Sequence, residues 1–426
     1  MPFLQKKVYF YITLAVLVTT IFSWFNINSL CIMLLLLCRL IDGRPLPSIK
    51  AAFTHKYFLA YFALFLVEAL SFFYTHNTGA WGHRMEKNAT LVAIPFILCA
   101  GPFTDERGYK KFMTAYCALL FAAAFYCLAA AAWHYTQQRD ISVFFYHALS
   151  HAIQENAIFF SVFVLFGLLF LLSSPIDAPY FSRQTQKNMR RFLVGFFILV
   201  IILLASKLLL VILILILAHF YSQRLAIGKN RKGIAIALSL VLLLGVLLVF
   251  TKNPIRTRYL DIILGDVSMI DKEHFDPGTY FNGVQLRVLE WRFAREILNE
   301  NHAWLLGVSA GDSQDLLDKK YLAANMYIGG EPGRPDRGYL GYNFHNQYIE
   351  NLVHCGLLGL GVLLFLCGQL IALVWRWRTL AAFYTVTILL VLFVTESPLL
   401  MQHGLFLSTF FPLLLLYSPR KARETP

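Results

Sequence analysis

Long apolar runs constrain this chain more than any other feature. A helix crosses a bilayer with about 20 apolar residues, in a range of roughly 17–25. Runs of this kind, some of them short, lie near 8–24, 26–41, 57–74, 88–100, 111–133, 155–173, 192–206, 207–221, 233–250, 349–374, 379–395 and 404–418. Twelve such segments exclude a soluble globular enzyme, a disordered chain and a fibrous repeat. Composition agrees: 58% of the 426 residues are hydrophobic and 14% are charged, where soluble domains carry about 25% charged residues. The fold class is an all-α polytopic membrane protein.

The stretch 192–221 is long enough for one helix or for two short ones turning at Ser206-Lys207. A lysine in mid-membrane costs about 2.5–3.5 kcal/mol on insertion scales, and two helices with Lys207 at an interface avoid that cost. The positive-inside rule gives the same answer. With the N-terminus in the cytoplasm and twelve alternating helices, 22 of the 37 Lys and Arg residues fall inside with five of the 24 acids, and the remainder is net −4. Merging 192–221 would turn the basic cluster around Arg231 outward. Both termini are therefore expected inside. The formal charge of +13 reads as orientation and not as a nucleic-acid surface, since aromatic interleaving is missing from the basic clusters.

No small-x-small cleavage site follows the first run, where the sequence reads Trp24-Phe25-Asn26, so that run is expected to be retained. The seven cysteines all lie in apolar runs and imply neither a disulfide framework nor a metal cluster. The chain divides into helices one to nine (1–250), a large outer loop (251–346), and helices ten to twelve with a cytoplasmic tail (347–426). Within the loop, 285–299 has helical periodicity. A second helix is expected over 311–324, capped by Asp312 or Ser313, and the glycine-rich 329–341 is loop.

The candidate chemical residues gather around this loop. His345, just before helix ten, is able to exchange a proton near neutral pH, or it anchors the helix end. Arg287 shares a helix face with Glu290, Trp291, Ala294 and Arg295. Its guanidinium suits a phosphate, or the face is simply solvated, with Glu290 paired to an arginine. Lys207 meets an anionic headgroup at the outer turn or fixes helix depth by snorkelling. Weaker candidates are Arg84 and Lys87 before helix four, and His147, His151 and Glu155 before helix six. Glu68, within helix three, is expected to be neutral or paired. No outer Asp-x-Asp pair, glycine-rich phosphate loop, Cys-x-x-Cys or Gly-x-Ser-x-Gly is present.

His345-Asn346, nine residues, then Gly356-Leu357-Leu358-Gly359 resembles the signature of the O-antigen ligase family, which includes related O-antigen polymerases and protein O-oligosaccharyltransferases. Ser206-Lys207 resembles the Ser-Arg or Ser-Lys at a helix junction in such proteins, with lysine where many members carry arginine. Arg287, Trp291 and Ala294, followed by Leu306-Gly307-Val308-Ser309-Ala310-Gly311, resemble the arginine helix and glycine turn of their periplasmic loop. The motifs cover about 190–405.

The resemblance implies a GT-C-like glycosyltransferase in the bacterial inner membrane, with its site facing the periplasm. The implied donor is a glycan on undecaprenyl pyrophosphate and the implied acceptor a sugar hydroxyl of lipid A–core. It implies His345 as general base and Arg287 and Lys207 as the diphosphate cations; Arg84, Lys87, Arg295, Asn346 and His147 stand as secondary candidates. No metal or other cofactor is implied. The expected reaction inverts the anomeric carbon, and 329–341 is expected to act as a lid. The related alternatives are a polymerase joining lipid-linked units and an oligosaccharyltransferase acting on protein. A secondary transporter fits less well, because the two halves are unlike and no midplane site is evident.

Overall fold

The computed structural model describes residues 2–42, 45–204, 206–226, 267–330 and 337–418. Among these the chain is helical, with no strand. The bundle helices are α1 (Lys7–Ile21), α2 (Phe25–Asp42), α3 (Pro45–Phe53), α4 (Lys56–Leu70), α5 (Thr78–Asn88), α6 (Thr90–Cys99), α7 (Glu106–Gln138), α8 (Tyr146–Ser150), α9 (Ala157–Ser173), α10 (Arg183–Leu204) and α11 (Lys207–Ala226). After these come the loop helices α12 (Gly283–Glu300) and α13 (Ser313–Ala323), then α14 (Gln347–Trp377), α15 (Leu380–Thr395) and α16 (Gln402–Leu414).

Eleven of the twelve apolar runs fall on helices; the ninth, 233–250, lies outside the described residues. Among the described residues, four segments are long and apolar enough to cross a membrane: Phe25–Asp42, Lys56–Tyr74, Glu106–Gln138 and Gln347–Trp377. Tyr146–Ile153 and Ala157–Ser173, bent by 79°, make a fifth if they act as one. Helix α9 is apolar and buried on nearly every side, so it is the centre of the bundle. α2 exposes Leu30, Met33, Leu34 and Leu37, and α14 exposes Leu357, Leu358, Leu364 and Phe365. Apolar faces this wide belong against lipid. The chain is a membrane protein by the character of these helices. α10 and α11 are separate helices, breaking between Leu204 and Lys207 as the cost of a mid-membrane lysine requires.

The helices between α11 and α14 have their own core. Leu289, Phe293 and Ile297 of α12 pack with Leu317 and Tyr321 of α13, with Phe344 before α14 and with Val353 in its second turn. α12 opens on a capping box, with Asn282 and Gln285 each bonding the other's backbone N–H. α13 begins after Asp312, whose side chain makes no cap bond; its carboxylate instead accepts the N–H groups of His76 (2.9 Å) and Asn77 (2.7 Å), tying the loop to the segment after α4.

The loop is also joined to the membrane helix through backbone. α14 breaks at Cys355 (φ −133°, ψ 18°) and Gly356 (φ 62°, ψ −157°). That break removes the helical bonds from the Leu357 and Leu358 N–H groups to the carbonyls of Val353 and His354. Segment 304–309 replaces all four partners. Leu357 N–H donates to Trp304 O (2.8 Å) and Leu358 N–H to Leu305 O (3.3 Å), while Val353 O accepts Val308 N–H (2.8 Å) and His354 O accepts Ser309 N–H (3.0 Å). Gly307 and Gly356 make the approach possible. A Cβ on Gly307 would lie 2.5 Å from Cys355 N, and one on Gly356 2.5 Å from Leu306 N. The Gly-x-x-Gly and Leu-Gly-Val-Ser motifs are thus the two sides of one seam. Residues 331–336 of the expected lid lie outside the described residues.

Candidate functional site

His345 stands where the loop core meets the first turn of α14. Its φ is +46°, a left-handed conformation uncommon for a residue with a Cβ. The local sequence supports it: Asn343 Oδ1 accepts the His345 N–H at 2.8 Å, and Asn346 caps α14 by accepting Tyr348 N–H (3.0 Å) and Ile349 N–H (3.1 Å). Asn346 is further fastened to the end of α15, through its Nδ2 to Val394 O (3.1 Å) and its N–H to Ser397 Oγ (3.1 Å). A strained residue held by this many neighbours is a common feature of functional sites.

The ring of His345 places Nδ1 2.9 Å from Glu290 Oε2 on α12. Glu290 is fully buried, and its Oε1 accepts the hydroxyl of Tyr321 on α13 at 3.0 Å. Burial works to lower the pKa of His345. The hydrogen bond and charge of Glu290, with the charge of Glu396, outweigh burial and the repulsion of Arg287, so the net direction is upward from about 6.5. The site holds an ionisable imidazole, 22% exposed and backed by a carboxylate, which suits proton transfer.

Arg287 lies one turn before Glu290 on the same face. Its Nη2 is 2.7 Å from Glu396 Oε1, its Nε donates to Thr395 O at 2.9 Å, and its Nη1 to Gly283 O at 2.7 Å. Arg287 therefore pairs with Glu396 at the end of α15, and Glu290 pairs with the histidine. Trp291 on this helix donates from Nε1 to Phe344 O (3.1 Å), fixing α12 against the turn before His345. Under that turn, Glu350 accepts Phe344 N–H (3.0 Å) and Ser397 Oγ–H (3.2 Å), and also pairs with His354 Nε2 (3.1 Å).

The remaining sequence candidates divide. Arg84 lies on α5, a helix where a short loop was expected, and bonds Glu68 Oε2 from Nε at 3.2 Å. Asn88 also donates to Glu68, so that buried carboxylate is paired. Lys87 is exposed on the same helix, and Arg295 is exposed on α12. Lys207 begins α11 and is half-buried. His147 is elsewhere: its Nδ1 accepts Ala157 N–H at 3.3 Å at the start of α9, in a cavity of 350 Å³ shared with His134 and His151. Glu155 takes part in a separate buried pair, 3.6 Å from His403 Nδ1. Among the described residues no group of three or more His, Cys, Asp or Glu could hold a metal ion.

Glu396, Ser397 and Tyr321 were missed from the sequence. Glu396 and Ser397 follow an ordinary apolar run, and the one available signal was the cost of a carboxylate at a helix end facing an arginine helix. No protein-family model matches the chain, and no curated protein matches it.

Proposed function

We propose that this chain is a membrane glycosyltransferase of the O-antigen ligase kind. It transfers a glycan from undecaprenyl pyrophosphate to a sugar hydroxyl of lipid A–core, at the periplasmic face of a bacterial inner membrane. The observation that carries the reading is His345, a partly open imidazole backed by a buried carboxylate at the junction of outer loop and membrane helix. A base at this level meets two lipid-borne substrates, and the diphosphate leaving group needs no further activation. The proposed architecture is GT-C-like, with twelve spans and both termini cytoplasmic.

Arg287 is the proposed donor cation, 109 residues in sequence from its present partner Glu396. The diphosphate and Glu396 then compete for one guanidinium, and binding exchanges one anion for another. Lys207 is proposed to meet the same headgroup. α11 and α15 touch where Tyr384 Oη donates to Leu215 O (3.0 Å). Lys207 is eight residues before Leu215 and Thr395 eleven after Tyr384, or roughly 12 and 17 Å along their helices. With the two helices antiparallel, as twelve spans require, both ends reach the same outer level.

The test is transfer of a lipid-pyrophosphate glycan to purified lipid A–core. His345→Asn is the informative variant, since asparagine tolerates a positive φ. It is expected to lower transfer by about 10²–10⁴-fold without loss of protein from the membrane. Transfer at the wild-type rate rejects His345 as the base. Cells lacking the protein should accumulate lipid-linked polymer and bare core; core bearing a single unit would move the assignment to the polymerase.

A further inference from the structure

We propose that Glu290 is the positioning residue for His345, keeping the Nδ1 proton turned toward its carboxylate so that Nε2 takes the proton from the acceptor hydroxyl. This rests on the reading of His345 as the base. The geometry selects the tautomer. Glu290 Oε1 is occupied by the Tyr321 hydroxyl (3.0 Å) and Oε2 by His345 Nδ1 (2.9 Å). Burial pushes the Tyr321 hydroxyl far above its ordinary pKa, so it stays an O–H donor. Burial raises the Glu290 carboxyl above its ordinary value, and the bonds from His345 and Tyr321 work against that shift; the ionised carboxylate, with Oε1 accepting from the hydroxyl, offers Oε2 as an acceptor, so Nδ1 carries the hydrogen. Glu290 is fully buried, and bulk water has no access to substitute for it.

The opposite edge of the ring is open. Nε2 has no hydrogen-bond partner among the described residues and is not a buried unsatisfied atom. The charged and titratable groups around the ring come from every neighbouring element: Arg287 and Glu290 from α12, Tyr321 from α13, Tyr342 edge-on at 5.8 Å, Glu350 below Phe344, and Glu396 from the end of α15. Of these, Glu290 alone bonds Nδ1.

In the step this serves, the acceptor hydroxyl proton moves to Nε2 while its oxygen bonds to the anomeric carbon. The bond from that carbon to the diphosphate oxygen breaks, and the diphosphate leaves with the electron pair. The imidazolium then carries hydrogen on both nitrogens, its charge offset by Glu290, and Nε2 returns its proton to water or to the departing diphosphate.

The experiment follows two quantities against pH on the full-length protein in detergent. The first is modification of the neutral His345 ring by diethyl pyrocarbonate, read on the His345 peptide by mass spectrometry. The second is the rate of glycan transfer. In the wild type the labelling midpoint is expected above that of N-acetylhistidine in the same buffer. In Glu290→Gln it is expected to fall by about one pH unit, and the acid limb of the transfer profile to fall with it. Glu290→Asp, which keeps a carboxylate, is expected to restore most of the upward shift. A wild-type midpoint at or below that of N-acetylhistidine overturns the pairing, even if Glu290→Gln does not accumulate; so does a midpoint that Glu290→Gln leaves in place. If the labelling midpoint moves and the transfer profile does not, the pair stands and His345 is rejected as the base.

Discussion

Replacing Gly356 with alanine tests the seam between segment 304–309 and α14. Gly356 has φ 62° and ψ −157°, a region essentially restricted to glycine. Placing another residue there costs about 1–3 kcal/mol. The added Cβ would also lie 2.5 Å from Leu306 N, so the two backbones must part. Parting them strains or breaks the bonds from Leu357 N–H to Trp304 O and from Leu358 N–H to Leu305 O. Each is worth about 0.5–1.5 kcal/mol net, for an expected total of about 2–6 kcal/mol. Gly361 and Gly368 supply controls in the same helix, since a Cβ on either meets nothing within 4 Å. Alanine there is expected to be neutral or to stabilise by about 0.4–1 kcal/mol. The assay is reversible unfolding in mixed detergent micelles, comparing the three variants with the wild type. If Gly356→Ala falls within about 0.5 kcal/mol of Gly361→Ala, the backbone seam does not hold the loop and the reasoning fails.

Glu396→Gln removes the anion that occupies Arg287; affinity for inorganic pyrophosphate is expected to rise several-fold by calorimetry, and unchanged or weaker binding would reject the exchange. Asp312→Asn weakens the ties to His76 and Asn77 and is expected to cost about 1–3 kcal/mol, with faster hydrogen exchange at those two amides; unaltered exchange would refute it. Burial opposes the charge of Asp312, but the His76 and Asn77 N–H groups and Ser309 hold its carboxyl below the usual 3.8. The contribution of this tie is therefore complete above about 3.8 and is lost as pH falls through the lower folded value. The His345–Glu290 pair has the opposite sign. Because the folded pKa of His345 is raised, its stabilisation is complete below about 6.5 and is lost as pH rises through the folded value. The stability gap between wild type and His345→Asn should narrow from pH 6 to pH 9, and a constant gap would contradict the pairing.

The apolar runs and the loop periodicity were readable because each depends on local pattern. Leu289, Phe293 and Ile297 recur at helical spacing, and α12 spans Gly283–Glu300 where 285–299 was expected. The break between Leu204 and Lys207 was readable for another reason: one lysine in an apolar stretch carries a large solvation cost. What escaped the sequence depends on tertiary pairing. Arg287 finds Glu396 and not Glu290, and nothing local distinguishes the two acids. The break in α14 was hidden too, because Cys355-Gly356 sits in an apolar run that reads as continuous helix until segment 304–309 is beside it. Helix α5 escaped because its polar face is supported by Glu68, a partner on α4.

The seam between segment 304–309 and α14 also bears on how the loop before α14 can diversify. Its four bonds join main-chain groups, so apart from the glycines it places little demand on side-chain identity and a strict demand on register. Insertions of one residue within 304–309 or 353–358 would shift these donors and acceptors out of register. The described residues between Ala323 and Tyr342 take no part in the seam. Length and composition can therefore vary there while the turn at His345 and Asn346 keeps its place at the start of α14.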